Sequence, residues 1–136
     1  MTDRQTIEAV IVQSYAAREK GDIEKLMSAF HPDAVFELAG SKTVLSVAGA
    51  VQGHQNIRTT MTEFIKNFDF VHREIISMAI DGESAAVHSR VEIRFNPGNK
   101  IFRTDILDSF LFEDGKVSKL VEFADTALIK DITSID

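Results

Sequence analysis

From Asp69 onward the apolar residues recur at every second position, in four runs: DFVHREIISMAI, ESAAVHSRVEIRF, KIFRTDILDSFLF and KVSKLVEFADTA. Alternation with period two buries one face of a strand. The runs exceed the usual strand length of about 5–6 residues, and long antiparallel strands twist and coil. Asp81-Gly82, Asn96-Pro97-Gly98-Asn99 and Glu113-Asp114-Gly115 separate them, each with a glycine free to take a positive φ in a hairpin turn. The second half of the chain is therefore expected to be one coiled, mainly antiparallel sheet.

The first half has a different period. Ile7, Val10, Ile11, Ser14 and Tyr15 share one face of a helix that Thr2 or Asp3 can cap and that Gly21 ends. Asp22 caps a second, short helix with Ile23, Leu26, Met27 and Phe30 on one side, stopped at His31-Pro32. Short strands are expected at Asp33–Ala39 and Thr43–Val51. After Gly53, a third helix carries Ile57, Met61, Phe64, Ile65 and Phe68. Three helices against such a sheet predict an α+β cone, a single domain over residues 1–136.

Composition narrows the function classes. Without cysteine there is no disulfide scaffold, thiol nucleophile or Cys-ligated metal. The net charge of −6 argues against a nucleic-acid or anionic-membrane surface. No apolar stretch approaches the ~20 residues of a membrane span, and MTDRQTIEAV lacks a signal-peptide core, so a cytoplasmic protein is expected. His31, His54, His72 and His88 have no metal-ligand spacing, and no phosphate loop or nucleophile elbow occurs. Neither metal nor cofactor is expected.

Turn lengths set which side chains share a face. A four-residue loop at Asn96–Asn99 pairs Phe95 with Lys100, Val91 with Thr104, Ser89 with Ile106 and Val87 with Asp108. The opposite face then carries His88, Arg90, Glu92, Arg94, Arg103 and Asp105. Burying such a charged set costs several kcal/mol per ion, so that face points outward. A three-residue bulged loop after Phe112 pairs it with Lys116, Asp108 with Leu120 and Ile106 with Glu122. Asp108 and Glu122 then both face the apolar interior. A two-residue Asp-Gly turn would instead send Glu122 outward. In the first hairpin either Arg73 and Ser77 or His72 and Glu74 face inward.

YAAREKGDIEKLMSAFHPDAVFE at the start and ILDSFLFEDGKVSKLVEFADTAL at the end, with Gly53 opening the third helix between them, carry a family resemblance. The chain resembles the nuclear transport factor 2-like superfamily (a cystatin-like architecture), in its SnoaL-like, polyketide-cyclase and ketosteroid-isomerase-like branch. That resemblance implies a pocket for a small hydrophobic molecule and a homodimer through the outer face of the sheet. On the ketosteroid-isomerase pattern Asp108 takes the place of the neutral oxyanion-binding Asp. The base position falls on Leu38 and the tyrosine position on Ser14, with Tyr15 one residue on. On the epoxide-hydrolase pattern Glu122 matches one acid, while Val87 and Ser89, or after a slip of one Arg90 and Glu92, match the rest. The tyrosine and asparagine that hold water there correspond to Phe36 and Leu38.

The candidate catalytic groups are thus Glu122 as acid–base and Asp108 as oxyanion donor, on a hydrophobic carbonyl-bearing metabolite undergoing isomerisation, cyclisation or dehydration. Ser14, Tyr15, Phe36, Leu38, Phe64, Val91, Thr104, Ile106 and Leu120 are the candidate ligand contacts, with Phe68 and Phe102 at the mouth. Structural alternatives stand beside these: an ion pair of Glu122 with Arg73, and a bond from Ser14 or Tyr15 to Asp108. Asp125 is expected to hold the C-terminal segment through backbone amides. A non-catalytic binding or dimerisation module of the same fold is the alternative function.

Overall fold

The computed structural model describes residues 2–134. Helix α1 (Arg4–Lys20) is capped by Asp3, whose Oδ1 accepts from Thr6 N at 2.8 Å, and ends at Gly21 in the left-handed region. Asp22 caps α2 (Ile23–Ser28) in the same way. This helix is shorter than its apolar spacing predicts. Phe30 leaves it to begin β1 (Phe30–Leu38), because Val117 N donates to Ala29 O and draws the chain into the sheet. Pro32 falls in an irregular stretch between the Phe30 and Val35 pairs, where no ladder donor is needed.

The expected strand at Thr43–Val51 shrinks to β2 (Gly49–Gln52). The residues before it close on themselves instead. Ser41 O accepts from Val44 and Leu45 amides, and Ser41 Oγ accepts from Thr43 N, local bonds that compete with a ladder. Helix α3 (His54–Asn67) follows, then β3 (Phe68–Asp81), β4 (Ser84–Phe95), β5 (Lys100–Glu113) and β6 (Lys116–Phe123). The six strands form one sheet in the order β2-β1-β6-β5-β4-β3, antiparallel except where β1 meets β6. A fourth helix, α4 (Thr126–Thr133), lies beyond the last strand and was not expected. Asp125 caps it as foreseen, accepting from Leu128 N at 3.0 Å.

The β4–β5 register is as derived, with Phe95 opposite Lys100 and Val87 opposite Asp108. The β5–β6 register is not. The turn is the two-residue Asp114-Gly115, both at positive φ, and it pairs Glu113 with Lys116 and Phe112 with Val117. Alone, that turn would expel Glu122. A β-bulge then pairs Leu111 with Lys119, skipping Ser118, and restores the inward face. Asp108 and Glu122 become direct cross-strand neighbours rather than offset by two residues. On β3, bulges follow Phe70 and Ile75. They turn Phe70, Arg73 and Met78 inward but leave Ser77 exposed, so neither expected set for this strand is intact.

The interior has two apolar clusters. Ile7, Ile11, Met27, Val87, Phe110 and Val117 belong to the larger one. Val91, Ile93, Phe95, Phe102 and Ile106 form the smaller, against which Leu128, Ile129 and Ile132 of α4 pack. Along β5 the fully buried Asp108 stands between Ile106 of one cluster and Phe110 of the other, while Ala124 and Ile129 pack against both.

Candidate functional site

A cavity of about 110 Å³ opens beside Asp108. Its walls are apolar: Phe36 and Leu38 from β1, Phe64 from α3, Phe68 and Phe70 from β3, Phe102 and Ile106 from β5, Leu120 from β6 and Ile129 from α4. Five side chains bring it ionisable groups: Tyr15 and Arg18 from α1, Arg73 from β3, Asp108 from β5 and Glu122 from β6.

Tyr15 donates its hydroxyl to Asp108 Oδ2 at 2.6 Å. Burial, then the Asp108 charge, push the phenol far above its ordinary range, so it stays a donor. Asp108 is 1 % exposed. Burial raises its carboxyl well above the usual range, the Glu122 charge and a hydrogen bond to Glu122 raise it further, and the Tyr15 bond and Arg73 charge oppose. Asp108 Oδ1 has no donor neighbour. Glu122 is the direct cross-strand partner of Asp108, and a proton on Asp108 is what lets a buried carboxyl stand beside that charge. Tyr15 is thus bonded to Asp108, and half-buried Glu122 stands opposite Asp108 on the neighbouring strand.

The Arg73 guanidinium lies over the Tyr15 ring, 3.8 Å from its centroid, and donates to Ser89 Oγ at 3.0 Å. Glu19 Oε2 is 3.6 Å from Arg73 Nε, close enough for charge but too long for a hydrogen bond, which leaves that nitrogen buried without an acceptor. Arg18 Nη2 donates to Phe64 O and Phe68 O at the end of α3. Burial brings the Arg18 group down to about 10, and it keeps its charge at neutral pH.

Of the expected ligand contacts, Ser14, Tyr15, Phe36, Leu38, Phe64, Thr104, Ile106 and Leu120 line the cavity, as do Phe68 and Phe102. Val91 does not: it is buried in the smaller cluster, whose Ile93, Phe102 and Ile106 reach the cavity instead. Ser14 turns its hydroxyl back to Val10 O at 2.6 Å, and Tyr15 reaches Asp108 in its place. The derived register holds Arg90 and Glu92 on the outer face, so β4 does not assemble the epoxide-hydrolase set. Arg18 was missed, although an arginine continuing the Ile7–Ile11–Ser14 stripe was a visible signal. Among the described residues His31, Glu113 and Asp114 bring possible metal-ligand atoms within 4.8 Å of one another, but at the surface and outside the cavity.

A family model for the SnoaL-like domain matches residues 11–120. No curated protein sequence matches the chain. Among solved structures, an NTF2-like protein from Burkholderia xenovorans LB400 has a TM-score of 0.78 at 18 % identity, covering 98 % of this chain and 100 % of its own. TerC, co-crystallized with polyporic acid, has a TM-score of 0.77 at 21 % identity over 93 % of this chain and 96 % of its own. An LEH-like epoxide hydrolase of M. tuberculosis has 0.71 at 15 %, covering 91 % and 90 %. At these identities the likeness is one of fold.

Proposed function

The chain belongs to the SnoaL-like domain family, and we propose that it binds an apolar, carbonyl-bearing small molecule and moves a proton on it. The observation that carries this is the Tyr15–Asp108–Glu122 cluster in an apolar cavity. A substrate C–H next to a carbonyl gives its proton to Glu122, and the electron pair passes to the carbonyl oxygen. Returning the proton at another carbon completes an isomerisation; attack by the enolate on a second carbonyl of the molecule, whose oxygen takes the proton from Glu122, completes a cyclisation; expulsion of a β-hydroxyl as water with that proton completes a dehydration. Asp108 holds a proton against Glu122, and Tyr15 fixes Asp108. Arg73 places positive charge in the cavity for the enolate. Proton transfer next to a carbonyl needs no redox partner.

The test is deuterium exchange into an enolisable ketone, such as 2-tetralone, followed by NMR in D2O. The expected result is exchange faster than buffer, with Glu122→Gln slower by about 10²-fold or more. Exchange at the buffer rate with the ketone bound would leave a binding module, the reading favoured by Leu38 on β1 opposite Glu122, where the isomerase pattern has its base.

The outer face of the sheet supports pairing of two copies. Leu107 and Phe123, directly paired, are exposed there with Ile101 and Leu111 beside the Arg90–Asp105 and Arg103–Glu92 ion pairs. No helix among the described residues is long and apolar enough to cross a membrane.

A further inference from the structure

Two guanidinium groups stand over one ring at the cavity. Arg18 is 4.6 Å and Arg73 4.9 Å from the Phe70 centroid. Their charges are not equally met. Arg73 has Glu19 within ion-pair distance, whereas Arg18 has no such carboxylate among the described residues. Glu122, then Asp69 and Glu19, favour the Arg18 charge, each from beyond that distance. Desolvating a cation without a counter-ion is costly, and an apolar wall makes it more so.

Capping α3 explains only part of Arg18. The two carbonyls use Nη2, and that work needs a donor, not a whole guanidinium facing a pocket. Nε and Nη1 have no acceptor among the described residues, and neither is sealed away, since the fully buried, unpartnered atoms are on Arg73 and Asp108. Charge-assisted bonds from an arginine to an oxyanion are among the strongest a site of this kind makes.

We propose that the ligand is an apolar acid: its carboxylate is held by the free N–H groups of Arg18 beside Phe70, while its reacting end lies at Glu122. This rests on reading the cavity as a small-molecule site and adds the chemical class of the molecule. Arg18 is then a specificity determinant, selecting the acid over its neutral analogue by the acceptor that only the acid supplies.

The test compares two near-isosteric probes, trans-cinnamate and cinnamamide, by calorimetric titration of the full chain. Wild type is expected to hold the acid about tenfold tighter than the amide. Arg18→Gln brings that ratio to about one while the amide still binds, and Arg18→Lys retains part of the preference. Because Arg18→Gln also weakens the end of α3, a second readout uses wild type alone. The Arg18 Nε–H resonance shifts with cinnamate and not with cinnamamide. Equal affinity for the two probes in wild type, a preference that survives Arg18→Gln, or an unmoved Nε–H resonance overturns the acid assignment and leaves the pocket reading intact. Failure of both probes to bind overturns the pocket reading, and this inference with it.

Discussion

Replacing Asp108 with asparagine tests whether the carboxyl is neutral. Asp108 Oδ2 accepts from Tyr15 at 2.6 Å, its Oδ1 has no hydrogen-bond partner, and Glu122 is its cross-strand neighbour. A protonated Asp satisfies both oxygens. An Asn does the same, its carbonyl accepting from Tyr15 and its amide donating to Glu122. In the unfolded chain an Asp titrates near 3.9, about its ordinary value, whereas burial and Glu122 raise it in the folded chain. Between those two values the native state holds one proton more than the unfolded state. Its stability therefore falls as pH rises, by about 1.4 kcal/mol per pH unit for this group. Below about pH 4 both states are protonated and the loss is absent; above the folded value both are ionised and the slope ends. Asn has no such titration. The stability of Asp108→Asn minus that of wild type is thus expected to start near zero and climb with that slope. Taking the difference matters because hydrogen bonds lower Asp3, Asp69, Glu83 and Asp105, whose contributions grow with pH and cancel between the two proteins. Urea unfolding followed by far-UV circular dichroism suits a chain without tryptophan whose one tyrosine sits in the site, with an unchanged m-value as the check. A difference that is flat or falls with pH would mean that Asp108 is ionised in the fold and holds no proton beside Glu122.

Tyr15→Phe removes the donor but not the ring beneath Arg73. It should cost about 1–3 kcal/mol by leaving a buried acceptor unpaired, and lower Tm by several degrees in a calorimetric scan; an unchanged Tm would mean that the bond contributes nothing. Leu107→Glu puts a charge beside Phe123 on the outer face of the sheet. Sedimentation should show a shift from dimer to monomer with the circular dichroism spectrum kept, and a wild type that sediments as a monomer would remove that interface.

The switch of apolar period near Asp69, the glycine turns and the capping aspartates Asp3 and Asp22 are local features, and the first two helices and the long strands follow from them. The inward face of β4 and β5 was equally legible, because a loop of known length sets parity and a charged stripe cannot be buried cheaply. Glu122 reached the interior by another route: a two-residue turn whose parity Ser118 reverses by bulging out of the ladder. Nothing in the local sequence distinguishes that from a single longer turn, since each shifts the strand by one residue from the plain two-residue register and so gives the same parity. Tertiary packing decided the rest. The rotation of α1 on the sheet chose Tyr15 over Ser14, two bulges on β3 aimed Arg73 at the tyrosine ring, and α4 packed on the smaller cluster and added Ile129 to the cavity wall. A sequence carries the period and parity of each element, but how one element is turned against another depends on side-chain shapes meeting across the core. The meeting of Tyr15, Asp108 and Glu122 belongs to that second kind.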